Sequence, residues 1–245
     1  MRRGFKCRND ILKNIKHEYD RIVHEKYNGV FLDGLKNFNN IAEDELRQVL
    51  LEFYENARSR DQAWKTCKGS LYEYAVYRYI TQTIENNESL KRRVIIRMGD
   101  EALDTHGEQV AIKNWCDIFP DVDILLIDND TQLVKAILSC KTSLRERLTE
   151  TAFWKREFEK TKELTDIKVV FITPDKDNEL RTETNRYIIL HVIDRTFISD
   201  PERYDSLIKS YRKKYGDRDD FSLLLDRVKS IDDMKDFLHK VFAQT

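Results

Sequence analysis

Long apolar runs are missing from this chain. No stretch approaches the roughly 20 apolar residues that a membrane span requires, so nothing is expected to cross a bilayer. The N-terminal MRRGFKCRND carries charge with no apolar segment behind it, and so does not read as a secretory signal. Glycine and proline are sparse, 7 and 3 in 245 residues, which argues against long low-complexity linkers. The four cysteines, Cys7, Cys67, Cys116 and Cys140, are scattered without C-x-x-C pairing. That spacing argues against zinc and is expected of reduced thiols in a cytoplasmic protein. Net charge is missing too, since 43 Lys and Arg face 44 Asp and Glu. No global basic field advertises nucleic acid, so a DNA-binding surface would have to be local.

What is present is charge in quantity and helical periodicity. Charged residues make up 36% of the chain and hydrophobic ones 40%, which suits a helix-rich protein with heavily solvated surfaces. Ile11, Ile15, Tyr19, Ile22 and Val23 predict a helix over residues 9–27. Leu46, Val49, Leu50, Phe53 and Tyr54 predict a second within IAEDELRQVLLEFYENA. Gly69-Ser70 then precedes LYEYAVYRYITQTIENN, where Ser70 reads as an N-cap and Glu73 as its capping-box partner. Short strands are predicted at Val94–Ile96, Lys168–Thr173 and Tyr187–Val192. Residues 99–118 read as an irregular loop, with His106 a solvated histidine. The chain after Pro201 reads as amphipathic helix, carrying a basic cluster at Lys209, Arg212, Lys213 and Lys214.

The stretch that organises the rest runs FPDVDILLIDNDTQLVKAILSCKTSLRER from Phe119. Two apolar runs bracket Asp128-Asn129-Asp130, residues suited to a turn, which predicts a β-hairpin. Side chains alternate along strands, so Asp121 and Asp123 share a face, as do Ser139 and Lys141. If those faces coincide, two carboxylates and an ammonium meet at one end of the hairpin. That grouping suits a Mg²⁺ site for cutting a phosphodiester bond.

Pro120-Asp121, Asp123 and Ser139-Cys140-Lys141 resemble the PD-(D/E)xK nuclease superfamily, and more narrowly its type II restriction endonucleases. The family's second acid would fall at position 139, where this chain has Ser. A subgroup that cuts CCGG-containing sites looks similar, with Ser there and a Glu from the following helix. The resemblance implies an α/β fold, a central mixed sheet flanked by helices, with N- and C-terminal helical additions. It implies residues 1–66 as a helical accessory region and 67–245 as the nuclease core with C-terminal helices.

The implied activity is Mg²⁺-dependent, sequence-specific cleavage of double-stranded DNA by metal-activated water. The implied partners are a second copy of the chain and a cognate DNA methyltransferase as genetic companion. Lys141, Asp123, Asp121, Glu73 and Ser139 are the candidate active-site residues. Asp123 is the preferred metal ligand because the apolar run begins directly after it, with Asp121 second. For the displaced acid, Glu73 ranks first and Glu157 second, ahead of Glu146 and Glu150. Glu73 equally serves as a cap, and the Glu residues after Lys141 equally serve as ion-pair partners on a wet helix face. Arg145, Arg147 and Arg156 are the candidate DNA contacts, while position 142 is Thr142 and offers no charge. Two other classes stay open: a structure-specific DNA-processing nuclease of the same superfamily, and a non-catalytic helical interaction protein.

Overall fold

The computed structural model describes residues 7–144 and 146–243. The chain packs as two compact units, Met1–Tyr79 and Ile80–Thr245.

The first unit is helical. In α1 (Asn9–Lys26), Ile11, Ile15, Tyr19, Ile22 and Val23 are buried, the stripe that the periodicity predicts. Short helices α2 (Phe31–Lys36) and α3 (Phe38–Asn40) follow, and Phe38 packs edge-on against Tyr72 at 4.9 Å. The predicted second amphipathic helix is instead a π turn, Ile41–Glu45, continued by a 3₁₀ segment, Leu46–Glu52. Ion pairs from Lys26 to Glu45, Lys68 to Glu43 and Arg47 to Asp61 tie this stretch to its neighbours. Tertiary fit overrides the helical period there. The long helix α4 (Ala57–Glu85) runs straight through Gly69-Ser70. Asn56, not Ser70, caps it, its Oδ1 accepting the N–H groups of Arg58 and Ser59 at 2.9 and 3.2 Å. The expectation that all four cysteines are reduced is also corrected. Packing brings Cys7 and Cys67 to a Cα separation of 4.7 Å, and they form a disulfide. Cys116, exposed, and Cys140, buried, are not disulfide-bonded.

The second unit is α/β. Asn87 caps α5 (Glu88–Arg93), which leads into β1 (Val94–Met98). Gly99, at φ +61°, turns the chain from β1 into α6 (Gly99–His106), part of the stretch predicted as loop. Then come β2 (Ile124–Asp128), β3 (Val134–Cys140), α7 (Arg147–Glu159) and β4 (Lys168–Thr173). They are followed by α8 (Glu183–His191), β5 (Arg195–Ile198), α9 (Pro201–Tyr215), α10 (Phe221–Arg227), β6 (Val228–Ser230) and α11 (Met234–Ala243). The strand predicted at Tyr187–Val192 is therefore helix. A short, fully apolar run fits a buried strand or a buried helix equally well. Here Thr182 caps the helix through Asn185 N–H, and Ile188, Ile189 and Leu190 are buried.

Among the described residues the sheet has six strands in the order β1-β2-β3-β4-β5-β6. The first three pair antiparallel and the rest parallel. The predicted hairpin is present as β2 and β3. Asp128 Oδ1 closes its turn by accepting the N–H groups of Asp130 and Thr131 at 3.1 and 2.9 Å. One sheet face, including Leu125, Ile137 and Phe171, is buried with residues of α7 and α8 such as Leu148, Phe158 and Ile189. On the other face Phe197 meets Phe237 of α11 at 5.6 Å. This is the mixed, helix-flanked sheet that the sequence predicts.

Beyond β4, Asp175 is fully buried at φ +48°. Burial pushes its carboxyl up to about 6, against the N–H groups of Leu180 and Glu179, which favour the charged form. At low pH the group is neutral in both folded and unfolded chain. As pH rises the unfolded chain ionises first, so folding stability is lost between the ordinary 3.8 and about 6. A shift of that size corresponds to roughly 3 kcal/mol at most. Asp175→Asn keeps the left-handed backbone accessible. It is expected to raise the melting temperature at pH 7, with the gain fading below pH 4 in paired thermal melts.

Candidate active site

Strand pairing sets the geometry. Ile124 lies opposite Leu138, so Asp123, one residue earlier, stands across from Ser139 on the same sheet face. Lys141 continues that face one strand period on, and its own N–H donates to Ile172 O on β4 at 2.9 Å. Asp121 precedes Asp123 by one strand period, in the segment leading into β2. The four predicted residues thus gather where β2 begins and β3 ends.

The charges meet there. Lys141 Nζ lies 3.1 Å from Asp121 Oδ2 and 2.9 Å from Asp123 Oδ2. The Cys140 backbone N–H donates to Asp123 Oδ2 at 2.7 Å, fixing that carboxylate against the sheet. The Asp123 side chain is 6% exposed and that of Lys141 14%, whereas Asp121 is 47% exposed. Burial therefore holds the Asp123 carboxyl above its usual range. Lys141 draws it down, and the Asp121 charge pushes it up further. Ser139 is buried and supplies no charge; its Oγ accepts a hydrogen bond from Thr151 Oγ1 of α7 at 3.2 Å.

Helix α7 adds a second layer of charge. Arg147 Nη1 stands 4.0 Å from Asp121 Oδ2 and 3.3 Å from Glu150 Oε2. A line of alternating charge thus runs from Asp123 through Lys141, Asp121 and Arg147 to Glu150. Sequence reasoning named Arg147 as a DNA contact and did not anticipate this link to Asp121. The signal was there, since the first turn of a helix starting shortly after Lys141 has to face the hairpin end. Lys155, buried in the same helix, is tied to Asp194 at 2.9 Å and anchors α7 to the sheet.

Two of the remaining candidates on α7, Glu157 and Arg156, have partners of their own. Glu157 pairs with Lys160 on α7. Arg156 bonds Glu159 at 2.8 Å and the carbonyl of His191 at 3.4 Å. Glu146 is exposed at the residue before α7, and Thr142 is half-buried. Arg145 lies outside the described residues. Glu73 belongs to the Met1–Tyr79 unit, where its charge acts on Lys16 of α1. His106 Nδ1 meets only the neighbouring Thr105 hydroxyl among its described hydrogen bonds, at 2.8 Å. Among the described residues no group of three His, Cys, Asp or Glu side chains converges on one point.

Two acids and a lysine thus meet at the end of a hairpin in a mixed, helix-flanked sheet. Residues 101–222 match a family model described as BsaWI restriction endonuclease type 2. The chain is 28% identical over 169 residues to the putative type II restriction enzyme MjaVIP of Methanocaldococcus jannaschii, covering 62% of this chain and 75% of that protein. It is 35% identical over 104 residues to the probable type II restriction enzyme HpyAORF263P of Helicobacter pylori, covering 40% of this chain and 52% of that one. A solved restriction endonuclease PspGI–substrate DNA complex shares the fold. Its TM-score is 0.62 at 15% identity, over 97% of this chain and 93% of that one. Together these similarities support a type II restriction endonuclease.

Lys141→Ala tests the electrostatics without any substrate. It leaves Asp123 buried beside Asp121 with no ammonium between them, which costs about 3 kcal/mol when both are ionised. The Asp123 carboxyl then rises further, so the loss is present at pH 7 and shrinks as falling pH protonates it. Urea unfolding at pH 7 and pH 5 is expected to show the larger deficit at pH 7.

Proposed function

We propose that this chain cleaves double-stranded DNA at a specific sequence with a divalent cation, Mg²⁺, as a homodimer with one active site per subunit. The observation that carries the reading is the convergence of Asp121 and Asp123 on Lys141 within 3.1 Å, in a chain similar to type II restriction enzymes.

The residues fit a hard cation. Two carboxylates lie close enough to raise the pKa of the buried one, and an added positive charge relieves that repulsion. Their oxygens are the donor type Mg²⁺ takes, and the partial set leaves room for waters and a phosphate oxygen. Asp123 and Asp121 would hold the ion, Asp123 as the fixed ligand and Asp121 as the adjustable one. When bound, the cation supplies Lewis acidity that lowers the pKa of a water and offsets charge on the scissile phosphate. Lys141 orients the attacking water and offsets negative charge developing on the phosphoryl oxygens. The same ammonium pairs with both acids and offsets part of their charge. Arg147, beside Asp121, is placed to turn toward a DNA phosphate.

Ser139 cannot supply the second anionic ligand found in most relatives of this superfamily. Glu150 is favoured as its substitute because Arg147 already couples it to Asp121. Glu73 and Glu157 enter the same comparison. A symmetric site cut on both strands calls for a two-fold pair of subunits. A methyltransferase that protects the host's own sites is the implied genetic companion.

Digestion of a plasmid in Mg²⁺ is expected to give discrete fragments. A smear would instead indicate a processing nuclease, and intact plasmid at every protein concentration would sink the nuclease reading. Lys141→Ala is expected to abolish cleavage while retaining DNA binding. Asp123→Asn is expected to weaken Mn²⁺ binding in calorimetry more than Asp121→Asn. If Gln at positions 73, 150 and 157 each leaves cleavage within tenfold of wild type, about 1.4 kcal/mol in barrier, no displaced carboxylate operates.

A further inference from the structure

Between α6 and β2 the chain makes a narrow projection. Ile112 and Ile118 form an isolated antiparallel bridge, exchanging backbone hydrogen bonds of 2.9 and 3.0 Å. Lys113 sits inside it and pairs with both Glu108 and Asp117 at 2.6 Å. Asn114 Oδ1 accepts the N–H of Trp115 at 2.7 Å. At the tip Trp115 is fully exposed, more so than any other large apolar side chain among the described residues. A bridged and ion-paired base holds this indole out in water.

Covering a large apolar side chain that stands in water is favourable, so Trp115 is available as an anchor for a partner. Buried, a Trp covers about 150–250 Å², whereas a stable protein interface needs about 800 Å² per partner. The neighbouring Ile118, only partly exposed, does not make up that difference. A single aromatic on a thin stalk fits a narrow, flat cleft, such as a groove or a base step in a duplex. Position supplies the second observation. Trp115 precedes Asp121 by six residues, so its Cα lies within roughly 21 Å of that acid's. A phosphate held at Lys141 therefore brings its own helix within reach of the indole. Lys113 is already neutralised by its two carboxylates, so the tip offers an aromatic face and not charge.

We propose that Trp115 is a DNA-contact residue that stacks against or wedges between bases of the duplex near the cut strand. This rests on the nuclease reading above. Apolar wedges and stacked aromatics grip nucleic acid in this way, and each stacked base is worth a substantial factor in affinity. Substrate deformability at the contacted step then contributes to site choice without a hydrogen bond to any base edge.

The test uses the full chain and a short fluorescein-labelled duplex of mixed sequence, without added metal. Trp115→Ala is expected to weaken binding about tenfold in anisotropy titrations, and Trp115→Phe to stay within about threefold of wild type. The wild-type tryptophan emission is expected to be quenched on unlabelled duplex, and the quench to vanish in Trp115→Phe, which retains Trp64 and Trp154. Equal affinity for wild type and Trp115→Ala, or a quench that survives in Trp115→Phe, overturns the assignment. So does a Trp115→Ala variant whose sedimentation shifts from dimer to monomer, which assigns the tip to a second copy. Wild type that neither binds duplex nor cuts plasmid removes the nuclease reading as well, whereas binding unaffected by Trp115→Ala removes only this inference.

Discussion

The buried carboxylate of Asp123 constrains everything around it. A charge at 6% exposure is tolerated only because Lys141 and the Cys140 N–H hold its oxygens. Both partners come from the end of β3, so the β2–β3 register must be right to the residue. A slip by one would send Asp123 to the opposite face, into the apolar layer that contains Leu126 and Leu138. The sheet guards against this by pairing Ile124 with Leu138 directly beside the acid. Its one irregularity lies further along, between Leu126 and Ile127. Parallel pairing of β3 with β4, and the bond from Lys141 N–H to Ile172 O, then fix where the ammonium leaves the sheet.

The parts of the structure legible in the sequence are those where local pattern and tertiary role agree. Alternation along the hairpin placed Asp121, Asp123, Ser139 and Lys141 on one face, and the turn chemistry of Asp128 through Asp130 closed it. The stripe of α1 and the buried side of α7, including Leu148, Thr151, Lys155 and Phe158, follow the helical period directly. The misreadings have a shared cause: local signals with two physical outcomes. Ser70-x-x-Glu73 has the form of a capping box but lies inside a helix already capped by Asn56. Tyr187–Val192 is apolar enough for either a strand or a buried helix, and its cap at Thr182 lay outside the run. Cys7 and Cys67 stand 60 residues apart, and only the packing of α1 and α4 brings them into bonding distance.

Neutral composition has a structural counterpart. The basic side chains seen in detail are largely spent on local partners: Lys214 on Glu183, Arg195 on Asp226, Arg47 on Glu43 and Asp61. Exposed pairs of this kind contribute little stability each and are screened by salt. Their consequence is that the α9 basic cluster projects a weaker field than its residue count implies, since Lys214 is already engaged. A polyanion approaching this chain meets no strong long-range attraction, so its placement has to come from short-range contacts.

The active-site charges suggest how those contacts are ordered. With Asp123 ionised, the line from Asp123 to Glu150 holds three carboxylates and two cationic side chains, a small negative excess. A phosphodiester approaching that line alone would be repelled, and Lys141 and Arg147 would have to abandon their acids to receive it. The carboxylates would, under the proposed function, hold a divalent cation whose charge would offset theirs, so that Lys141 and Arg147 would be released toward the phosphate. Under the proposed function, then, metal and phosphate bind with positive coupling, each raising the other's affinity by the same factor. On that reading, the carboxylate that is costly to bury is also the group that would favour a cation. Burial also strengthens its electrostatic attraction, because the surrounding sheet and α7 exclude the water that would screen it.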